Sequence, residues 1–305
     1  MKPRMLAPAV ALALVAVACG SDDDSAPADT NADDAAATTD AATSEPAESE
    51  GTSGCDPLPL QSDGQLTVAT GETVFPPWMG AGEDDFDDPS TGTGYEGALV
   101  FALADRLGVE NVEFVRTGFD EVIAPGEKDW DFNIQQYSIT PDRDEVVDFS
   151  DGYYDVEQAI IGPADGPAAS ATSVAELQDL RIGAAIGTTS LDYAEEVIAP
   201  SSDVQVYDDN SAAKAAYDAG QVDAIVFDLP TAFFVTATEF TDASIIGVLP
   251  LAGGEPEELG MLFEDASPLV PCVNEALAAL RDDGTLAALE EEWLNQGGDI
   301  PSLEN

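Results

Sequence analysis

From Leu66 to Trp293 the chain alternates short runs of β-branched and apolar residues with longer amphipathic runs. That alternation restricts it to an α/β construction with mostly parallel sheets. "LTVAT" (66–70) reads as a strand, "GALVFALADRLG" (97–108) as a helix closed by its own glycine, and "VEFVR" (112–116) as the next strand. Strands at 131–136 and 157–162 complete a first series. A second series runs strand 181–186, helix 189–199, strand 204–207, helix 211–220, strand 222–228 and helix 230–240. A strand near 259–263 and helices over 267–282 and 285–295 follow, and there is no short-period repeat. Two series of this size predict two lobes, with the cleft between them as the default site.

Charge narrows the partners. The chain carries 61 Asp and Glu against 9 Lys and Arg, a formal charge of −52. Such a surface repels polyanions and argues against nucleic acid. The acid is spread over the folded part as well as the region before Cys55, a pattern suited to concentrated salt, where the short Debye length relieves self-repulsion. There is no histidine, which removes a Ser-His-Asp or Cys-His triad, a His-ligated zinc site and the commonest general base.

Residues 1–19, "MKPRMLAPAVALALVAVAC", have a basic start, an apolar run and a cysteine after small residues, the make-up of a signal peptide. The run is too short, and too soon followed by Asp22, Asp23 and Asp24, for a membrane span. It resembles a bacterial lipoprotein signal, which implies lipidation of Cys19; Ala16 stands where Leu is usual, and ordinary cleavage nearby is the alternative. Residues 20–54 hold no aromatic or large aliphatic side chain and are expected to form a disordered acidic tether. With Cys19 taken by lipid, Cys55 and Cys272 remain as an even pair in an oxidising compartment, expected to form a disulfide; two buried free thiols are the other reading.

Two motifs are set aside. "GTGYEG" (92–97) matches G-x-G-x-x-G, but a polar loop precedes it where a dinucleotide site needs a strand. Asp84, Asp85, Asp87 and Asp88 lack the spacing of a calcium loop and read as a solvated loop. No cofactor or metal is expected.

The most informative stretch is "NIQQYSITPDRDEVVDFSDGYY" (133–154). Thr140 and Pro141 form a helix start, a capping hydroxyl followed by proline at the first helical position, which sets Arg143 in the first turn. A guanidinium beside free backbone N–H groups makes an anion site. A surface Arg paired with Asp142 or Asp144 is the plain alternative. The segment resembles the S/T-I-T-x-x-R-x-x-x-x-D-F-S-x-P-Y-Y stretch of the family 3 bacterial extracellular solute-binding proteins, the polar amino-acid receptors of ABC importers. "LTVATGETVFPPW", "TGFDEVI", "IGAAIGTTSLDYA", "GQVDAIVFDLPTA" and "LRDDGTLAALEEEWL" are similar to further segments of that family in the same order, over roughly residues 64–295.

The resemblance implies a two-lobed, periplasmic-binding-protein-like fold of type II, with two crossing strands and an amino acid held in the cleft. It implies lobe 1 over 55–157 and 247–305, and lobe 2 over 158–246. By the same carry-over Arg143 would grip the ligand α-carboxylate, helped by Ser138, Thr188 and Thr189, and Asp228 would take the α-ammonium with the backbone carbonyl of Gln136. Phe75 and Phe119 would sandwich the side chain, and Glu72 would read its far end. Taken alone, Asp228 reads equally as a helix cap, and the two phenylalanines as core.

The sequence departs from the family pattern at Gly97 and Ala98, at Ala185, and at Gln135 and Gln136, where small residues are common. A zwitterion is indifferent to the global field, so the cleft must supply its own cation, while Glu72 and the extra amides favour a polar or cationic side chain. The expected protein is a monomeric, non-enzymatic receptor, lipid-anchored outside the cytoplasm, that hands its amino acid to an ABC permease. The alternatives on this fold are a periplasmic dehydratase acting on prephenate-like acids, with Glu72 as the acid, and a sensor ectodomain. The lack of histidine argues against the first, and the lack of a membrane span or signalling domain against the second.

Overall fold

A computed structural model describes residues 55–80, 87–294 and 300–305. The leader, Cys19, the tether, Asp84 and Asp85 lie outside the described residues. All described residues belong to one contact unit, 48–305.

The strands build two five-stranded sheets. The first has the order β2-β1-β3-β12-β4, from β1 (Gln65–Gly71), β2 (Asn111–Thr117), β3 (Phe132–Asn133), β4 (Asp148–Phe149) and β12 (Leu262–Phe263). The second has the order β10-β6-β9-β7-β8, from β6 (Gln158–Pro163), β7 (Ile182–Ala185), β8 (Gln205–Tyr207), β9 (Ala224–Asp228) and β10 (Ala243–Val248). A two-stranded ribbon of β5 (Tyr154–Val156) and β11 (Glu257–Leu259) lies where the chain passes from the first sheet to the second and back. Both sheets are mixed, correcting the expectation of mostly parallel pairing. The β1–β2, β1–β3, β7–β8 and β7–β9 pairs are parallel, but the strands next to the two crossings, β6, β10 and β12, pair antiparallel with their neighbours.

Among the described residues eight α-helices flank the sheets: α1 (Tyr95–Leu107), α2 (Phe119–Ile123), α3 (Pro141–Asp144), α4 (Thr189–Tyr193), α5 (Asn210–Asp218), α6 (Leu229–Thr238), α7 (Val270–Asp282) and α8 (Thr285–Trp293). Strand alternation assigns the cores. In the second sheet Ile160, Ile182 and Val226 face one cluster, and Ala159, Ile161, Ile225 and Phe227 face another on the opposite side. Burial on both faces explains why these strands read as unbroken apolar runs. In the first sheet Leu66, Val68 and Phe132 pack with α1, α7 and α8, while Ala69 and Leu262 face Trp130, Tyr137 and Phe149.

Three local departures from the sequence reading matter for the site. The strand expected over 131–136 is only two residues long, because Gln136 adopts a left-handed φ of 53° and turns the chain out of the sheet. The strand expected near 259–263 is split into β11 and β12 around Gly260. Residues 300–305, assigned no element from sequence, run along the second sheet: Ser302 bridges Val248, and Leu303 is buried in the core beneath β6, β7 and β9. A disulfide joins Cys55 to Cys272 on α7, closing a sequence separation of 217 residues. Among the described residues no helix is long and apolar enough to cross a membrane.

The N-terminus of α1 also settles "GTGYEG". The amides of Tyr95, Glu96 and Gly97 donate to the carbonyls of Pro77 and Trp78, so the donors a pyrophosphate would need are taken by backbone.

Candidate functional site

Between the two sheets lies a cleft of about 370 Å³, within the ~300–1,000 Å³ usual for small-molecule sites. Arg143, Ser138, Thr188, Thr189, Asp228, Glu72, Phe75, Phe119 and Gln136 all line it.

Arg143 is set by its cap. Thr140 accepts from the Arg143 amide at 3.3 Å and Pro141 opens α3, a single helical turn. Its guanidinium turns inward and is 8% exposed. Nη1 donates to the Ser138 carbonyl at 2.7 Å and Nη2 to the Gly187 carbonyl at 2.8 Å. No ion pair among the described residues includes Arg143, so it is not a surface partner of Asp142 or Asp144. Burial pulls its pKa down, and Tyr137, Asp192, Glu257 and Asp120 oppose that. The guanidinium also sits against the stacked pair Phe119 and Tyr137, with its carbon 5.8 and 5.6 Å from the ring centres. Among the described lining residues it is the one Lys or Arg.

Opposite stands the start of α4. Thr188 caps it, accepting from the Leu191 amide at 3.2 Å and donating to the Ala185 carbonyl at 2.7 Å. Gly187 precedes it with φ of 72°, a backbone conformation that favours glycine, and its Cα faces the Asp120 carboxylate. The Thr189 hydroxyl lies 3.3 Å from the Ser138 hydroxyl across the cleft.

Asp228 combines the two readings open to it. It caps α6, accepting from the Thr231 amide at 2.9 Å, and it lines the cleft. Burial raises its pKa, and hydrogen bonds from Thr231 and Trp78 offset part of that rise. Trp78 also donates its indole N–H to the Thr231 hydroxyl at 2.9 Å, a further bond between the two sides. Phe119 belongs to core and cleft together.

Sequence reasoning missed the supports. Glu96, fully buried at the start of α1, accepts from the Gln136 amide at 2.8 Å and also from the Gln136 side chain and the Tyr153 hydroxyl. It thereby pins the left-handed Gln136. Burial pushes its pKa up to about 7 against the pull of those bonds. Gln158, which opens β6, and Glu257, on the crossing ribbon, tie Ser138, Thr189 and Ser190 into one polar network: Ser138 donates to Glu257 at 2.8 Å and Ser190 to Gln158 at 2.7 Å. The available signal was polarity out of place, a glutamine opening the apolar run "QAIIGP" and a glutamate two residues into the first helix.

Comparison with known proteins agrees with this architecture. Residues 66–296 match the model of the bacterial extracellular solute-binding proteins, family 3. The chain is 28% identical over 243 residues to the L-cystine-binding protein TcyJ of Escherichia coli (strain K12), covering 79% of this chain and 86% of that one. It is 26% identical over 210 residues to ABC transporter arginine-binding protein 1 of the same strain, covering 67% and 82%. It is similar to the structure of an ancestral arginine-binding protein bound to glutamine, with 30% identity, a TM-score of 0.65, and 77% and 100% of the chains covered. On fold, cleft and sequence together, this chain belongs to the bacterial extracellular solute-binding proteins, family 3.

Proposed function

We propose that the protein is the amino-acid-capturing component of an ABC importer, taking a polar or cationic amino acid in its cleft and presenting the closed form to a permease. The observation that carries this is the buried Arg143, which reaches both sides of a cleft whose other charged walls are acidic: Asp228, Glu72, Asp208 and Asp209. The two carbonyl bonds leave other guanidinium N–H groups for a bidentate grip on the α-carboxylate. The Ser138 and Thr189 hydroxyls and the amides that open α4 complete the carboxylate end. Asp228 and the Gln136 carbonyl take the ammonium, and Phe75 and Phe119 cover the side chain on its way to Glu72. Similarity to cystine- and arginine-binding proteins supports the same class of ligand.

Closure follows from differential contact. A ligand held by Arg143 on one side and by Thr189 and Asp228 on the other stabilises the closed form over the open one. In this reading the hinge lies near residues 155–158 and 247–250, with lobe 1 over 55–157 and 247–294 and lobe 2 over 158–246; the tail at 300–305, expected in lobe 1, attaches to the second sheet and so goes with lobe 2. No bond is made or broken in this reading. The receptor acts as a monomer, tethered through Cys19 to the outer face of the membrane. Isothermal titration of residues 20–305 against the twenty amino acids tests the proposal. Saturable binding of one or a few polar or cationic amino acids is expected, and heat from none of them refutes it.

A further inference from the structure

Trp78 stands on the first-sheet side of the cleft, between β1 and α1, and has no part in the proposed grip on the ligand. Its ring is 2% exposed and meets Tyr95 and Tyr154 edge-on, with centroids 6.1 and 5.6 Å away. A phenylalanine also offers an apolar ring for those contacts. What the indole adds is an N–H, and that N–H crosses the cleft to the Thr231 hydroxyl at 2.9 Å, in the first turn of α6. An indole nitrogen donates and does not accept, so the Thr231 oxygen is the acceptor and its own hydrogen is left for another partner. That partner is Asp228, which accepts from both the amide and the hydroxyl of Thr231 and lies within reach of the indole N–H as well. Trp78, Thr231 and Asp228 thus form a directed chain of donors ending on a carboxylate, and its first member comes from the opposite side of the cleft.

We propose that Trp78 is a positioning residue: by fixing the direction of the Thr231 hydroxyl it holds the Asp228 carboxylate in the orientation that receives the ligand α-ammonium, and it does so only when the two sides of the cleft meet. The proposal rests on the amino-acid reading of the cleft and deepens it at the ammonium end. Trp78 acts through Asp228 and not by reading the ligand side chain, so its contribution is the same for every amino acid bound. Because the bond spans the cleft it favours the closed form over the open one, and its loss shows chiefly as faster release.

The test is calorimetric titration and stopped-flow release of L-arginine, L-glutamine and L-cystine, and of any other amino acid that the wild type binds, with Trp78→Phe, Thr231→Val, Thr231→Ser and the Trp78→Phe, Thr231→Val double variant. For each amino acid bound, Trp78→Phe and Thr231→Val are expected to weaken affinity about fivefold, mainly through dissociation, the net effect of one hydrogen bond. The double variant is expected to stay within about twofold of the weaker-binding single one, since both substitutions cut the same chain. Thr231→Ser, which keeps the hydroxyl, should bind within about twofold of the wild type. Unchanged affinity in Trp78→Phe, a double loss equal to the product of the single losses, a loss confined to one ligand side chain, or Thr231→Ser as weak as Thr231→Val overturns the proposal and leaves the amino-acid reading intact. A wild type that binds no amino acid overturns both.

Discussion

Arg143 Nη2 donates to the Gly187 carbonyl at 2.8 Å, so one guanidinium joins the α3 side of the cleft to the loop that opens α4. In the proposed reading that side chain both holds the ligand and registers closure. Arg143→Ala is expected to weaken amino-acid binding about 100-fold or more, since two charge-assisted bonds contribute roughly 1.5–3 kcal/mol each. Arg143→Lys keeps a charge but not the fork, and should recover only part of the loss. Titration calorimetry checks both, with thermal unfolding as the control for folding.

The pH response should carry the mark of Glu96. Burial pushes its pKa in the folded protein up to about 7 from the ordinary glutamate value of about 4.5. A raised carboxylate contributes stability below about 4.5 that is lost as pH climbs through about 7. The loss is about 3 kcal/mol at 1.36 kcal/mol per unit. Urea unfolding at pH 5 and pH 8 in high salt, for wild type and Glu96→Gln, is expected to give a flatter pH dependence in the variant.

The disulfide ties the start of the folded region to α7. Replacing Cys55 and Cys272 with serine should cost about 2–5 kcal/mol of stability through the freed unfolded chain. Neither cysteine lines the cleft, so ligand affinity should stay within about twofold. Denaturant melts and titrations on the double variant measure both quantities.

Leu303 is 5% exposed and packs into the core of the second sheet. Leu303→Ala should destabilise the protein by about 2–5 kcal/mol, the usual cost of emptying such a site. A change below 0.5 kcal/mol in the same melts would mean that the tail is not part of that core.

Much of this was legible in the sequence because its signals are local. Thr140 and Pro141 announce the turn that carries Arg143, and the apolar runs of β6, β7 and β9 announce strands covered on both faces. All nine residues proposed for the site do line one cleft. What stayed hidden depends on partners far along the chain. Glu96 has meaning only through Gln136 and Tyr153, and Gln158 only through Glu257. The mixed pairing of the sheets follows from where the crossing strands return, which periodicity does not encode. The tail at 300–305 is too short and too irregular to show any period at all.

That tail gives the two ends of the described chain different attachments. Cys55 is bolted to α7, beside the first sheet, while Ser302 to Glu304 are stitched to Val248, Thr172 and Val174 beside the second. If the two lobes close on a ligand as proposed, a donor dye near residue 56 and an acceptor near residue 305 would therefore report on different lobes. Energy transfer between them would turn each capture event into a change of colour, with no label inside the cleft itself.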